Sequence, residues 1–261
     1  VIIARRSASG VPHFLMQERA AGMSFAGGAM VFPGGAVDEA DGAYARALAV
    51  ADDIDEMAAR IAAVRETIEE CGLVLTARTG AVDATTSAAL RAALRSGTML
   101  AEVADAHGIS FDFMRLIPFA RWCPSAQALH KRFDTRFFVA ALEEGEQVDD
   151  LLPDGSESVR LAWHSAHEVL EEANAERVKI IFPTRRNLER LAQCRSIEEL
   201  VEHALRHPVS LISPWIERRG GEPHLCIPEG HGHRERLLRS ANHCAELIAP
   251  WSIANSSRPR R

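Results

Sequence analysis

Apolar positions recur along the chain in two periods, and the period changes mark its elements. Residues 1–5 and 13–18 are short, largely apolar runs joined by turn residues from Ser7 to Pro12, which predicts a β-hairpin. Residues 27–35, Gly-Gly-Ala-Met-Val-Phe-Pro-Gly-Gly, bracket a short apolar strand with a backbone permissive enough to approach a ligand closely. A polar stretch follows. Then Ile54, Met57, Ile61, Val64, Ile68 and Cys71 recur at threes and fours, which predicts a helix over 54–71 with one apolar stripe. Asp53 followed by Glu56 has the form of a capping box at its start, and Gly72 stands where a terminating glycine belongs.

Residues 84–107 read as two short helices, broken by Gly97 and ended by Gly108. Strands are expected at about 113–122, 133–142 and 158–163, the last ending in Trp163. Helices follow at 166–175, from Phe182-Pro183-Thr184 to about 194, and from Ile197 to Arg206 behind a Ser196 cap. The remaining residues read as irregular, with strands at 214–218 and 223–228. No internal repeat or low-complexity linker interrupts this order, so the expected class is α/β: a mixed sheet flanked by helices.

Composition narrows the function classes. With 47% hydrophobic and 25% charged residues over 261 positions, the chain is neither disordered nor a small disulfide scaffold. A net charge of −6 argues against a broad nucleic-acid-binding surface. The five cysteines are scattered and contain no C-x-x-C pair, which disfavours a cysteine zinc site and suits a reducing compartment. No apolar run approaches the roughly 18 residues needed to span a bilayer.

The chemistry concentrates in Arg65-Glu66-Thr67-Ile68-Glu69-Glu70-Cys71-Gly72. On a helix Glu66, Glu69 and Glu70 fall on one face. Three like charges there repel and raise one another's pKa values. The arrangement is either a solvated acidic face or a seat for divalent cations, and hard oxygen ligands suit Mg²⁺ or Mn²⁺.

Together with Phe32-Pro33-Gly34-Gly35 upstream, this segment resembles the Nudix box, Gly-x5-Glu-x7-Arg-Glu-U-x-Glu-Glu-x-Gly-U with U aliphatic. The second half matches from Arg65 to Leu73, with Thr67 at the first aliphatic position. The first half starts at Gly35 and has Asp41 at the acidic position; twenty-three residues, in place of seven, then separate Asp41 from Arg65. The box is thus interrupted by about sixteen residues. Such an interruption is similar to that of the Nudix branch containing the mammalian peroxisomal Nudix motif nineteen coenzyme A diphosphatase and its bacterial relatives. Pro118-Phe119-Ala120-Arg121-Trp122, Arg132-Phe133-Asp134-Thr135-Arg136-Phe137-Phe138, Trp163 and Phe182-Pro183-Thr184 also resemble recurring segments of that branch.

The resemblance implies a Nudix α/β/α sandwich over 1–195, with the interrupted box at 35–73, a helical insertion at 84–107, and a C-terminal helical extension, 196–261, packed on the same domain. It also implies a diphosphatase in which Glu66, Glu69, Glu70 and the Gly35 carbonyl hold Mg²⁺ or Mn²⁺. Arg65 would orient the carboxylates, and Glu66 or a neighbour would help deprotonate the attacking water. A further metal carboxylate from a later loop is expected at Glu157, with Glu143, Glu144 and Asp154 as rivals. Arg19, Arg132 and Arg136 are candidates for substrate phosphates, since arginine suits bidentate contacts. The implied partner is a small-molecule nucleotide, with no nucleic acid or membrane, and segment 84–107 either caps the cleft or forms a homodimer contact. The terminal Ser-Ser-Arg-Pro-Arg-Arg is not a peroxisomal signal, which suits a cytoplasmic protein.

Coenzyme A or an acyl-CoA is the preferred substrate reading, although Ser24 stands where one coenzyme A signature carries arginine. The alternatives are a pyrophosphatase of ADP-ribose, NADH or nucleotide sugars, and a non-catalytic Nudix-fold effector-binding protein. His224, His231, His233 and His243 lack the spacing of a zinc site, and Trp122, Trp163, Trp215 and Trp251 read as packing residues.

Overall fold

The computed structural model describes residues 1–23, 26–50, 52–75, 77, 82–124, 133–143, 151–219, 222–228, 230 and 237–238. The predicted hairpin is present as β1 (Ile2–Arg6) and β2 (Pro12–Arg19), antiparallel with Ala4 opposite Phe14. One edge of β2 pairs along its length with β6 (Ser158–Ser165). Its other edge is shared: β1 takes residues 12–14, and β3 (Met30–Val31) takes Gln17 and Glu18. This fork admits the glycine-rich chain that follows β3.

Beyond β1 the sheet continues with β5 (Thr135–Ala141), parallel to β1, and β4 (Ile117–Trp122), antiparallel to β5. It ends at β7 (Leu211–Ile212), parallel to β4. The main sheet is therefore mixed, as expected. A bulge interrupts the β2–β6 ladder at its far end, where Glu18 pairs with Arg160 but Arg19 pairs with Ser158, leaving Val159 as the extra residue.

Strand alternation makes two cores from one sheet. Ile3, Leu15, Phe138 and Ala140 face a layer led by α2 (Ile54–Cys71), with α1 (Glu39–Leu48), α3 (Ala84–Arg95) and α4 (Leu100–His107) around it. Ile2, Ala4, Phe14, Met16 and Val139 point the other way, toward α5 (Ala166–Asn174), α6 (Phe182–Leu191) and α7 (Ile197–Arg206). Fully burying each large side chain stabilises by about 1.5–3 kcal/mol, so both faces hold the sheet. A small antiparallel sheet of β8 (Trp215–Arg219), β9 (Glu222–Cys226) and β10 (Leu237–Leu238) follows in sequence.

Four local expectations change. The polar stretch before 54 contains α1, which starts where the Asp38 N–H donates to Asp41 Oδ2 at 2.9 Å. At α2, Asp53 caps the Glu56 N–H at 2.9 Å, but the Glu56 carboxylate turns to Arg60 at 2.8 Å, so only half of the capping box forms. The strand expected from 113 begins at Ile117, because Phe113–Arg115 forms a 3-10 turn capped by Asp112. The region expected as irregular after α7 includes the edge strand β7. Trp122 is fully buried and Trp163 packs against the α2-side core, whereas Trp251 lies outside the described residues. No helix among the described residues is long and apolar enough to cross a membrane.

Candidate active site

Glu66, Glu69 and Glu70 lie on the last turns of α2, and the chain leaving β3 folds across them. The two glycines of that chain are required by different contacts. The Gly34 N–H donates to Glu70 Oε2 at 2.8 Å, from a backbone with φ of 146°. A Cβ on Gly35 would lie 2.3 Å from the Glu66 carboxyl carbon, so only glycine lets the two meet.

Arg65 ties the glutamates to α1. Its Nε and Nη2 donate to the buried Asp41 at 3.1 and 3.0 Å, and Nη1 donates to Glu66 at 2.9 Å and Glu69 at 3.1 Å. Nη2 also reaches the Ala36 carbonyl at 2.8 Å. Burial disfavours the Arg65 charge, but the bond to Asp41 and the attraction of Glu66 outweigh it and raise its pKa. The Glu66 carboxyl is pushed up to about 7, by burial first, with Arg65 opposing and Glu70 and Glu69 adding repulsion. Burial likewise raises Glu70, against donors from Gly34 and Gln17 and the nearby charge of Arg19.

Gln17 escaped the sequence reading. It is buried, and its Nε2 donates to Glu70 Oε2 at 3.0 Å. Leu15, Gln17 and Arg19 share the α2 face of β2 by alternation, so two polar residues at core-facing positions were the available signal.

Arg19 lies beside this cluster, with Nη2 at 3.9 Å from Glu157 Oε2. Its buried Nε has no hydrogen-bond partner among the described residues. The Glu157 loop is fixed by the Ala20 N–H donating to the Glu157 carbonyl at 2.8 Å. Asp154 organises the same loop by accepting from the N–H groups of Glu157 and Ser158 at 3.0 and 2.7 Å. Burial works against its ionisation, but those donors and Ser156 hold its pKa below the usual range. Its acceptor sites are therefore engaged within the loop. Glu143 pairs with Arg115 at 2.7 Å on the surface. Arg136 donates to the Asp55 carbonyl at 2.6 Å and shares a cleft of about 470 Å³ with Gly34, Gly35 and Phe133. Arg132, Glu144, His231, His233 and His243 lie outside the described residues.

The three glutamates do not form a ready metal cage. Among the described residues no three His, Cys, Asp or Glu side chains converge closely enough to hold an ion as they stand. The reason is visible in their bonds: Arg65 engages Glu66 and Glu69, while Gly34 and Gln17 engage Glu70. The donor set still fits a hard divalent cation. It offers carboxylate oxygens one helical turn apart, their mutual repulsion is what a cation relieves, and Glu66 touches a glycine backbone.

The α3 helix secures this end of α2 from behind. Arg91 Nε and Nη2 donate to the carbonyls of Glu69 and Glu70 at 2.9 and 2.8 Å, and the Ser87 hydroxyl donates to the Gly72 carbonyl. These are the orphan carbonyls of the helix end.

The family model of the NUDT19 Nudix domain matches residues 46–191, more than half of the chain. The solved structure of a NUDIX hydrolase from Alicyclobacillus acidocaldarius is similar with a TM-score of 0.67 at 28% sequence identity, covering 77% of this chain and 92% of that one. No curated protein matches the chain. Nudix hydrolases cleave pyrophosphate bonds and generally use divalent metals such as Mg²⁺ or Mn²⁺. The interrupted box, folded around Arg65 and carried by a mixed sheet between two helical layers, thus belongs to a member of the Nudix hydrolase family in its NUDT19-like branch, a Nudix pyrophosphohydrolase.

Proposed function

We propose that this chain hydrolyses the pyrophosphate bond of a nucleoside diphosphate linked to another moiety, with coenzyme A or an acyl-CoA as substrate. Water attacks one phosphorus and the bridging P–O bond breaks. The products are adenosine 3′,5′-bisphosphate and 4′-phosphopantetheine or its acyl form. The coenzyme A reading is supported by the likeness of this chain to the NUDT19-like branch.

The observation that carries the catalytic reading is the meeting of Glu66, Gly35 and Glu70 beside an arginine, Arg19, with an unused buried donor. Glu66, Glu69 and Glu70 with the Gly35 carbonyl would hold Mg²⁺ or Mn²⁺, and Glu157 is the candidate for a further oxygen ligand. A cation held there would supply charge to screen the phosphate oxygens and to acidify water. Arg65 orients Glu66 and Glu69 through paired hydrogen bonds. Glu66 or a neighbouring carboxylate is the candidate for accepting the proton of the attacking water. Arg19 meets a phosphate oxygen from the β2 side, and Arg136 does so from the cleft beside Gly35.

The test is turnover of coenzyme A, acyl-CoA, ADP-ribose, NADH and nucleotide sugars with Mg²⁺ or Mn²⁺, products being identified by mass. Coenzyme A turnover lost in folded Glu69→Gln and Glu70→Gln is the expected result. Preference for another panel member would replace the substrate, and near-wild-type turnover in both variants would remove these glutamates from catalysis.

A further inference from the structure

A second cavity, of about 370 Å³, opens between α2, α1 and the α3–α4 corner. Its apolar wall comes from the box interruption and the helical insertion together: Ala43, Tyr44 and Ala47 of α1, and Leu94, Met99 and Leu100 around the α3–α4 corner. Its inner wall is α2, through Arg65 and Glu69. The volume lies within the roughly 300–1,000 Å³ of small-ligand sites. Tyr44 is held in place by an edge-to-face contact with Phe113 at 5.8 Å between ring centroids, and Met99 is 45% exposed.

Charge selects what can enter. Asp38, Asp41 and Glu69 share Arg65, the one cation lining the cavity among the described residues, at 3.5, 3.0 and 3.1 Å, and Glu66 draws on the same guanidinium. The guanidinium is thus already engaged by carboxylates and is not free to take a phosphate. An uncharged arm, by contrast, gains from the alanine, leucine and methionine surface. The cavity touches Glu69, so an arm attached to a pyrophosphate on the glutamate face reaches it without crossing the sheet.

We infer that this cavity binds the apolar, uncharged arm of the pyrophosphate substrate and sets the enzyme's preference for arm length. The inference rests on the pyrophosphohydrolase reading and adds a location and a chemistry to it. The box interruption, as α1, and the helical insertion, as α3–α4, are then the two halves of one specificity pocket.

The experiment uses non-hydrolysable adenosine methylenediphosphate esters carrying a methyl or an octyl group, titrated calorimetrically into the full chain with Mg²⁺. Each methylene buried is worth roughly threefold in affinity, so the octyl ester should bind at least about tenfold tighter than the methyl ester. Ala43→Trp and Ala47→Trp fill the cavity from exposed positions of α1, and each should erase that gain while leaving methyl-ester binding unchanged. Hydrogen exchange on the unmutated protein gives a readout independent of the variants: the octyl ester should slow exchange in 39–48 and 100–107 beyond the methyl ester. Equal affinity for the two esters, a gain that survives both substitutions, or added protection elsewhere overturns the inference. Failure of the pyrophosphohydrolase reading shows differently, as absence of turnover for every substrate in the metal-dependent panel whatever the arm.

Discussion

Asp41 and Arg65 stand 24 residues apart and meet at 3.0 Å, Oδ2 to Nη2. The interruption that separates them in sequence is therefore closed in space. The intervening chain leaves as α1 and returns as the first turns of α2, and the acidic position of the box ends on the arginine that holds Glu66 and Glu69. The shorter Asp side chain suffices because α1 brings its own first turn against Arg65.

Asp41→Asn should destabilise the protein by about 3 kcal/mol, since it leaves a buried guanidinium short of its principal counter-charge. Turnover should fall as well, because Glu66 and Glu69 lose their fixed partner. Urea unfolding together with a magnesium titration of activity checks both effects. Wild-type stability in the variant would show that Glu66 and Glu69 neutralise Arg65 unaided.

Gly35→Ala should cut turnover at least tenfold with less than about 2 kcal/mol of lost stability. The new Cβ would meet the Glu66 carboxyl, so the carboxylate must move or the loop must lift. Steady-state kinetics beside a thermal melt separates the two effects, and unchanged kinetics would place Glu66 outside the reaction.

Arg91→Met should lower stability by about 1–2 kcal/mol and weaken magnesium activation, with Arg91→Lys intermediate. The carbonyls of Glu69 and Glu70 would lose their donors at the helix end that carries both carboxylates. A shift in magnesium half-saturation at constant fold content reports on positioning, and its absence limits Arg91 to packing.

Stability should also fall in acid through His203. Burial, with the charges of Arg190, His207 and Arg206, lowers its pKa from 6.5 to about 4. Its ring nitrogen accepts from Arg190 Nε at 2.9 Å, which only the neutral ring can do. The folded pKa lies below the unfolded one, so this contribution is complete above pH 6.5 and is lost as pH falls toward 4. The loss should approach about 2 kcal/mol after allowance for solvent screening. Denaturant midpoints across that range, compared with those of His203→Gln, check the assignment; an identical slope in the variant would move the effect elsewhere.

The α2 helix was legible from sequence because its signals are local: an apolar stripe, the Asp53 cap and the glycine at 72. The mixed sheet was legible from alternating runs for the same reason. α1 was hidden because it is alanine-rich, has few large apolar residues to mark a stripe, and ends at Ala49 with φ of 49° and not at a glycine. Gln17 was hidden because it opens the polar end of β2, where Gln17, Glu18 and Arg19 follow one another and only the strand's alternation tells which of them faces α2. That Asp154, and not Glu157, accepts the loop's own N–H groups was not legible, since both are acids in one turn-rich stretch. The glutamates share a helical face as spacing requires and Arg65 lies within a helical turn of Glu66 and Glu69, but the bonds of Glu70 to Gly34 and Gln17 come from chain 36 and 53 residues away, beyond any local pattern.

The bulge at Val159 has a bearing on how relatives of this chain are compared. Along β2, odd-numbered residues from Leu15 to Arg19 look toward the glutamates, while β6 changes parity by one residue just before its loop. A homologue with an even ladder at that point would turn its loop acid by one position. Counting back from the tryptophan of β6 would then nominate the wrong carboxylate. Alignments of this branch are better anchored on the Arg19–Ser158 pairing than on spacing from Trp163.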